Sequence, residues 1–243
     1  MPGLGTIVNM AAIAGGGLIG RFFGGILSDH MQKSLLTACG VVTSVMALGT
    51  MMSKMLVSDG SGGFETQGVM MMIASILIGM LIGELLHIES GIEHFGEWLK
   101  NKTGNEKDAA FVNAFVTASL TVCIGAMAVI GSIEDGIRGD HSILFTKAVI
   151  DCVIILAMAA SMGTGAIFAA VPVGIFQGVI TVLAQFLAPV LNDQAMDNLS
   201  LVGAVMILCV GINILWPRKI VVANMLPALA VAVIWAYLPF AAG

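Results

Sequence analysis

The sequence predicts an all-α membrane protein: a polytopic helical bundle of about eight spans, with two inverted three-helix repeats plus two C-terminal helices. The first observation behind this prediction is composition. Hydrophobic residues make up 58% of the chain, charged residues only 10%, and the mean hydropathy is +1.01. Soluble domains contain about 25% charged residues, because they need a polar surface. The second observation is a succession of long apolar runs, and the third is an internal repeat.

A helix needs about 20 apolar residues to cross a bilayer, and about 17 to 25 are tolerated. Runs of this kind occupy residues 4–20, 34–52, 68–86, 109–130, 143–162, 163–190, 199–216 and 220–240. The sixth and eighth runs contain Pro172 and Pro227. These prolines are expected to kink or break their helices, because proline lacks a backbone donor.

The repeat is visible in residues that recur in the same order. Gly20, Gly25, Ile26, Asp29 and His30 match Gly131, Gly136, Ile137, Asp140 and His141, and Gln67 with Gly68 matches Gln177 with Gly178. Each unit would contain three spans. An odd number of crossings starts the second unit on the opposite side of the membrane, so the units must be inverted, as in many secondary transporters.

This organisation divides the chain into four segments. They are a first repeat at 1–87, a linker at 88–108, a second, inverted repeat at 109–191, and two C-terminal spans at 192–243. The linker places Ile88, Ile92, Phe95 and Leu99 at helical spacing. It is predicted to form an amphipathic helix at the cytoplasmic surface of the membrane.

The Lys and Arg residues between the spans predict the orientation. The loops after the odd-numbered spans carry seven of them: Arg21, Lys33, Lys100, Lys102, Lys107, Arg218 and Lys219. The loops after the second, fourth and sixth spans carry Lys54 and Arg138. Because cytoplasmic loops are enriched in Lys and Arg, the first set is predicted to be cytoplasmic. Eight spans would then place both termini outside.

Lys147 and Asp151 lie inside the fifth run. Their spacing of four residues puts them on one helix face, and Asp151 is about 12 Å from the start of the span. A carboxylate at this depth is costly unless it is paired or hydrated, so it is a candidate cation or proton site, or a substrate clamp. The alternatives are a local ion pair that orients the helix and a lysine that reaches the interface.

Uncharged polar side chains also occur in the apolar runs. Five are predicted to line a translocation path with Asp151 and Lys147: Asn9, Asn113, Thr117, Gln177 and Asn224. Gln177 and Asn224 are each close to a proline, where freed backbone carbonyls can hold ions. The alternative is that these side chains form hydrogen bonds between helices, each worth about 0.6 kcal/mol on average.

The repeated Asp-His pairs, Asp29 with His30 and Asp140 with His141, would lie at opposite membrane faces. One hypothesis makes them gates or pH sensors, since histidine titrates near neutrality. The other makes the aspartates caps for the helices that follow.

No motif indicates catalysis. The chain has no P-loop, no H-E-x-x-H, no G-x-S-x-G and no basic tract for nucleic acid. We therefore expect no enzyme activity, no cofactor and no nucleic-acid partner. Each of the four cysteines lies in an apolar run without a C-x-x-C pair, so packing is the expected role and no metal site is predicted.

Several motifs resemble the YqgA/YdfK-like family of bacterial inner-membrane proteins (domain of unknown function 554). They are FVTASL at 115–120, GAMAVIGSI at 125–133, LFTK at 144–147 and ANMLPAL at 223–229. The resemblance covers essentially the whole chain and implies a multi-pass protein of the inner membrane, without implying a reaction. One departure is the loop at residues 53–66, which is longer than in the family and is predicted to be flexible.

The repeat and the buried charges together favour a secondary transporter of a small solute or ion, with its site between the repeats. The partners predicted are the lipid bilayer and that solute or ion. A passive channel, for which a homo-oligomer is expected, and a non-transporting membrane interaction protein are the alternatives.

Overall fold

The structure, a computed structural model, describes residues 2–26, 28–58, 60, 62–123, 126–216 and 220–238. These residues form eleven α-helices: α1 (Leu4–Gly24), α2 (Asp29–Met55), α3 (Val69–Leu85), α4 (Ile88–Lys102), α5 (Phe111–Cys123), α6 (Ala126–Arg138), α7 (Ser142–Met162), α8 (Ala170–Val182), α9 (Ala184–Leu187), α10 (Asp193–Leu215) and α11 (Pro227–Trp235). Short 3-10 helices occupy Thr164–Ala169, Ala188–Val190 and Val222–Met225.

Five helical segments are long and apolar enough to cross a membrane. They are α1, His30–Met55 of α2, α7, the segment Thr164–Val182 and α10. The number rises to seven if each of two bent pairs is one span, and the apolar segment Val222–Trp235 is shorter. The predicted all-α membrane class fits this architecture, and the count of eight spans stays a prediction.

One of the two bent pairs interrupts a segment that the sequence predicts as a single span, and the other bends at the predicted boundary between the third span and the linker. The predicted span at residues 109–130 is divided between α5 and α6, which meet at 62°. The third span, α3, meets the linker helix α4 at 56°. At the α5–α6 bend, Val122 is buried near the end of α5, where the carbonyls of the last turn need other partners.

Pro172 and Pro227 stand at helix starts and interrupt no regular α-helix. Pro172 is in the first turn of α8, Pro227 is the first residue of α11, and a 3-10 helix comes before each of them. The first turn tolerates proline because its N–H groups have no helical acceptor. The breaks expected from the sequence therefore lie just before the prolines.

The loop after α2 contains a small antiparallel hairpin. Strand β1 (Leu56–Ser58) pairs with β2 (Phe64–Thr66), with Val57 opposite Glu65. The sequence predicts only a flexible loop here, because strands of three residues carry too little alternation to be recognised.

Glycine residues lie at the closest contacts between helices. Gly16, Gly20 and Gly24 of α1 meet the backbone of Cys152, Leu156 and Ala160 of α7, so these two helices run parallel. Gly40 of α2 meets Leu215, and Gly211 meets Ser44, so α2 and α10 are antiparallel. Small residues allow such approach, which strengthens dispersion between membrane helices.

The central helix is α10. No large apolar side chain of α10 is exposed in the described part of the chain, and Val202, Met206 and Val210 belong to the main core. Helices α1, α2 and α7, by contrast, present Leu18, Val45 and Val149 outward. Exposed apolar surface on these long helices is what contact with lipid requires.

The inverted repeat is not visible as matched helix pairs. Helix α1 packs along α7, whereas the described residues of α5 and α6 form no comparable interface with α2. Gln67 lies before α3, whereas its counterpart Gln177 lies inside α8. The repeat and the four-segment division therefore stay predictions.

Candidate functional site

Lys147 and Asp151 form a buried ion pair near the middle of α7. Lys147 Nζ lies 2.6 Å from Asp151 Oδ2, and the two residues are 7% and 3% exposed. Asp151 is nine residues from the start of α7 and eleven from its end, so it is about 14 Å and about 17 Å from them. Charges at such depth survive because each satisfies the other.

The bend between α5 and α6 supplies a second partner for Lys147. Its Nζ donates a 2.8 Å hydrogen bond to the carbonyl oxygen of Val122, one residue before α5 ends at Cys123. The last carbonyls of a helix lack intrahelical donors and carry the negative end of the helix dipole. The ammonium group therefore caps an interrupted helix, which a continuous span at residues 109–130 would not have required.

Asn9 connects this pair to α1. Its Nδ2 donates a 3.1 Å hydrogen bond to Asp151 Oδ2, and the residue is completely buried. Three of the predicted path residues, Asn9, Lys147 and Asp151, are thus brought together from α1 and α7. The parallel packing of α1 on α7 makes this contact between residues far apart in sequence possible.

A cavity of about 200 Å³ opens beside the pair, and we call it the central cavity. Its polar lining consists of Thr43, Thr50, Thr121, Lys147, Asp151 and Ser200. Methyl and thioether groups of α2, α6, α7 and α10 form the remainder. The cavity is thus largely apolar, with polar groups converging at one place, as is usual for small-ligand sites.

A second cavity, of about 120 Å³, lies farther along α5 and α10, and we call it the acidic cavity. Its polar lining consists of Glu89, Glu93, Asn113, Thr117 and Asn213. The glutamates come from α4, and Asn113 and Thr117 are predicted path residues from α5. The unwound segment at residues 220–223 completes the lining.

Helix α5 carries a polar stripe between the two cavities. Asn113, Thr117 and Thr121 recur every four residues, which places them on one helix face. Asn113 and Thr117 line the acidic cavity and Thr121 lines the central one. Leu120 and Val210 line the acidic cavity and Ile207 lines the central one, and we call these three apolar side chains the apolar partition.

Asn224 lies away from Asp151, at the bend between α3 and α4. Its Nδ2 donates to Glu84 Oε2 at 2.7 Å, and its Oδ1 accepts the Glu89 backbone N–H at 2.8 Å. Both ends of the amide are therefore used to hold the bend. Asn224 itself does not line the acidic cavity, but its neighbour Ala223 and its hydrogen-bond partner Glu89 do.

Gln177 is completely buried on α8, and neither of its amide atoms has a hydrogen-bond partner within the described residues. Thr181, one turn later, also has a buried hydroxyl without such a partner. The sequence singles out Gln177 because it follows Pro172, but its complete burial follows from the packing of α8 against α1 and α6.

The two Asp-His pairs occupy different surroundings. Asp140 accepts hydrogen bonds from the hydroxyl and backbone N–H of Ser142 at the start of α7, and these bonds lower the pKa of Asp140. In the first pair, Ser28 is the N-cap of α2, Asp29 is its first residue and His30 is exposed. The side chain of Asp29 is outside what the structure describes.

His141 contacts a residue that sequence reasoning missed. Its Nδ1 lies 3.0 Å from Oδ1 of Asp135, which is completely buried. The Asp135 carboxylate also accepts the backbone N–H groups of Gly3 and Gly5, at 2.9 and 3.0 Å. A carboxylate is favourable at a helix N-terminus, so Asp135 fixes the start of α1. The available signal was the spacing of Asp135 six residues before His141, inside the polar segment.

These features can be compared with known proteins. The profile of the family described as "Protein of unknown function (DUF554)" matches residues 4–237. The chain belongs to the DUF554 family. The match includes every residue of the two cavities and the charged pair.

Two relatives of this DUF554 protein extend over nearly its whole length. The "Uncharacterized membrane protein YdfK" of Bacillus subtilis (strain 168) is 27% identical over 227 residues, which are 93% of each chain. The "Uncharacterized protein YqgA" of Escherichia coli (strain K12) is 25% identical over 233 residues, which are 94% of each chain. No solved structure matches the chain. The resemblance to the YqgA/YdfK-like family is thereby confirmed.

The donor sets in the DUF554 site define what it can hold. Within the described residues, no group of three His, Cys, Asp or Glu side chains is placed to hold a metal ion. The central cavity offers one carboxylate, one ammonium group and several hydroxyls. Such a set suits a cation, a proton or a small polar solute that forms hydrogen bonds.

Proposed function

We propose that this protein is a secondary transporter of a small solute or ion across the bacterial inner membrane. The observation that carries the proposal is the Lys147–Asp151 pair in the middle of α7, beside an interrupted helix and a cavity of about 200 Å³. Transporters commonly place substrate and coupling-ion sites near the bilayer midplane, at discontinuous helices. Buried charges retained in such a place are usually functional.

The two cavities support a route rather than a single pocket. They follow one another along α5 and α10, and the polar stripe of α5 leads from one to the other. The apolar partition of Leu120, Ile207 and Val210 separates them. A transporter needs such a closed state, because its site must be exposed to the two sides in turn.

The directions of the packed helices support eight alternating crossings. The first span is parallel to the fifth, in the contact of α1 with α7, and antiparallel to the sixth, where Met10 packs on Gly174 and Gly17 on Ile167. The second and seventh spans, α2 and α10, are antiparallel. Gly79 and Gly83 of α3 meet Ala228 and Asn224, so the third and eighth spans are antiparallel as well. Alternating crossings require all four of these relations.

With eight alternating crossings, the Lys and Arg distribution predicts that the acidic cavity is on the cytoplasmic side and that both termini are outside. Inverted repeats would relate the two halves, and the single charged pair would then be an asymmetric element in the second half. Asymmetry of this kind suits a coupling site, because one position must respond to an ion while its counterpart holds the fold.

The proposal is tested by reconstituting the purified protein in vesicles and recording charge movement and solute uptake. The probes are alkali cations, amino acids and monocarboxylates, each applied as a concentration step. The critical variant is Asp151→Asn, which removes the charge with little change in size. The matched control is Asp197→Asn, which makes the same change in the half-exposed pair of Asp197 with Lys54.

We expect saturable uptake of at least one probe by wild type and by Asp197→Asn, and its loss in Asp151→Asn. Uptake that never saturates would favour a passive channel. Absence of uptake for all probes, together with equal thermal stability of the three proteins with every probe, would favour a non-transporting interaction protein.

A further inference from the structure

Five buried polar atoms at α1 and α8 lack a hydrogen-bond partner within the described part of the chain. They are Thr6 Oγ1, Asn9 Oδ1, Gln177 Nε2, Gln177 Oε1 and Thr181 Oγ1. Each of these side chains belongs to a residue that is more than nine-tenths buried. A buried polar atom without a partner is costly, and ordered water is the usual partner where protein supplies none.

Three contacts fix the relative heights of these side chains. Gly136 of α6 packs on the Thr181 carbonyl, and Asp135, next to Gly136, accepts the Gly5 N–H. Thr6 and Thr181 therefore lie at the level of Asp135. Farther into the bundle, Met10 of α1 packs on Gly174 of α8.

Gln177 lies between these two levels. It comes three residues after Gly174 and four before Thr181, so all three share the face of α8 that is turned to α1. Asn9, adjacent to Met10, lies at the same depth as this stretch of α8. These contacts and the helical spacing indicate that the unpartnered atoms lie in a column along the α1–α8 interface, which we call the polar column.

Both ends of the polar column are ionisable. At one end, Asp135 contacts the partly accessible His141, whose side chain is 16% exposed. At the other end, Asn9 donates to Asp151. Gly5 and Asn9 are four residues apart, so the column covers about 6 Å along α1. About two waters, at the usual oxygen separation of about 2.8 Å, bridge such a length.

We infer that the polar column holds a short file of waters that carries protons between the His141–Asp135 pair and the Lys147–Asp151 pair. The inference rests on the proposed transport function and assigns the proton as its coupling ion. It gives the proton a route distinct from the stripe of α5, which stays available to the solute.

The transfer moves protons from one water to the next, and no group changes its oxidation state. A hydronium ion at the His141 end gives one proton to the file, and the last water of the file gives a different one to an Asp151 oxygen. The O–H bond formed on Asp151 replaces the one broken in that water. Lys147 keeps its ammonium group and its bond to the Val122 carbonyl, while the ion pair becomes an ammonium beside a neutral acid.

The neighbouring titratable groups are few. At the inner end, Cys123 of α5 interacts with both Lys147 and Asp151. The cavity lining from α2 and α10 contributes hydroxyl groups and no charge. At the outer end, the Asp140 carboxylate interacts with His141. Glu134 and Arg138 pair with each other on the exposed side of α6, with Nη1 to Oε2 at 3.0 Å.

The test follows Asp151 protonation by time-resolved infrared spectroscopy of the full chain in lipid nanodiscs after a light-triggered pH drop. The carboxylic acid band of Asp151 is the one missing in Asp151→Asn. The variant is Gln177→Leu, which keeps the size but removes both amide atoms. The control is Gln185→Leu, the same change at an exposed position on α9, and Gln177→Glu restores polarity.

We expect the band to appear at least about tenfold more slowly in Gln177→Leu than in wild type. The reason is that a side chain positioned to pass protons accelerates their transfer by about 10²–10⁴-fold. Gln185→Leu and Gln177→Glu are expected to keep the wild-type rate. A purely structural role for Gln177 would lower the melting temperature without changing this rate, and that result overturns the inference.

The inference also fails if wild type shows no Asp151 acid band from mildly alkaline to acid pH. In that case, saturable uptake in the vesicle assay would leave the transporter proposal intact. Conversely, protonation through the polar column without uptake of any probe would support the column and count against transport.

Discussion

Lys147 donates a 2.8 Å hydrogen bond to the carbonyl oxygen of Val122, at the point where α5 gives way to α6. One ammonium group therefore neutralises Asp151 and caps an interrupted helix at the same time. Because of these two roles, we expect Lys147 to tolerate substitution less than any other residue of the site. Its removal leaves the helix end without this donor and leaves the Asp151 carboxylate without its counter-charge, with the hydrogen bond from Asn9 remaining.

Lys147→Met is accordingly expected to destabilise the protein by about 3–5 kcal/mol, the usual cost of breaking a buried ion pair. The measurement is the free energy of unfolding of the detergent-solubilised protein. Lys54→Met breaks the more exposed pair with Asp197 and should cost about 0–1 kcal/mol. The double variant Lys147→Met with Asp151→Leu should recover stability, because it leaves no lone buried charge. A double variant as unstable as Lys147→Met alone would contradict this account.

The contact of α1 with α7 predicts a position-specific effect of one methyl group. A Cβ on Gly20 would collide with the backbone carbonyl of Leu156, which a side-chain rotation cannot relieve. Gly20→Ala is therefore expected to destabilise the protein by about 1–3 kcal/mol through overpacking. Thermal unfolding beside Gly15→Ala is the check, since Gly15 has open space around it. Equal stability of the two variants would mean that α1 and α7 are farther apart.

The sequence predicted the parts of the site that depend on local spacing. Lys147 and Asp151 are four residues apart, and this alone places them on one face of a helix. Asn113 and Thr117 follow the same rule on α5. Composition was sufficient for the membrane class, because a chain with 10% charged residues lacks the surface of a soluble protein.

The remaining parts depend on contacts over long distances in sequence. Asn9 reaches Asp151 across 142 positions, and nothing in the neighbourhood of either residue indicates the other. No proline marks the bend after Cys123. The sequence therefore did not predict the hydrogen bond from Lys147 to the Val122 carbonyl. Asp135 was overlooked because it lies in a polar segment that reads as a loop but continues α6.

The hydrogen bonds of Asp140 predict a pH effect at the start of α7. Donation from the hydroxyl and N–H of Ser142 lowers the pKa of Asp140 from its ordinary value of 3.8. A carboxyl with a lowered pKa stabilises the folded state above that ordinary value, and this contribution is lost as pH falls through the lowered pKa. Ser142→Ala should therefore weaken the acid-dependent loss of stability between pH 3.8 and the lowered pKa of Asp140.

The measurement for this prediction is the melting temperature across the acid range. Ser161→Ala is the matched control, because the Ser161 hydroxyl donates only to the carbonyl of Ala157 in its own helix. An unchanged pH profile in Ser142→Ala would show that the Asp140 contacts do not persist in solution.

The Asn224 side chain connects α3 and α4 at the bend between them. Asn224 donates to Glu84 and accepts the Glu89 N–H, so Asn224→Ala removes both of these hydrogen bonds. The expected loss is about 1–3 kcal/mol in total, from one hydrogen bond to a charged group and one to a backbone N–H. Because the bend positions α4, the acidic cavity should open and Glu93 should become accessible. Carboxyl labelling of Glu93 measures this, with Asn101→Ala on the exposed side of α4 as the control. Labelling that is unchanged in Asn224→Ala would mean that α4 is held by its apolar face, through Leu99 and Phe95, and not by the amide.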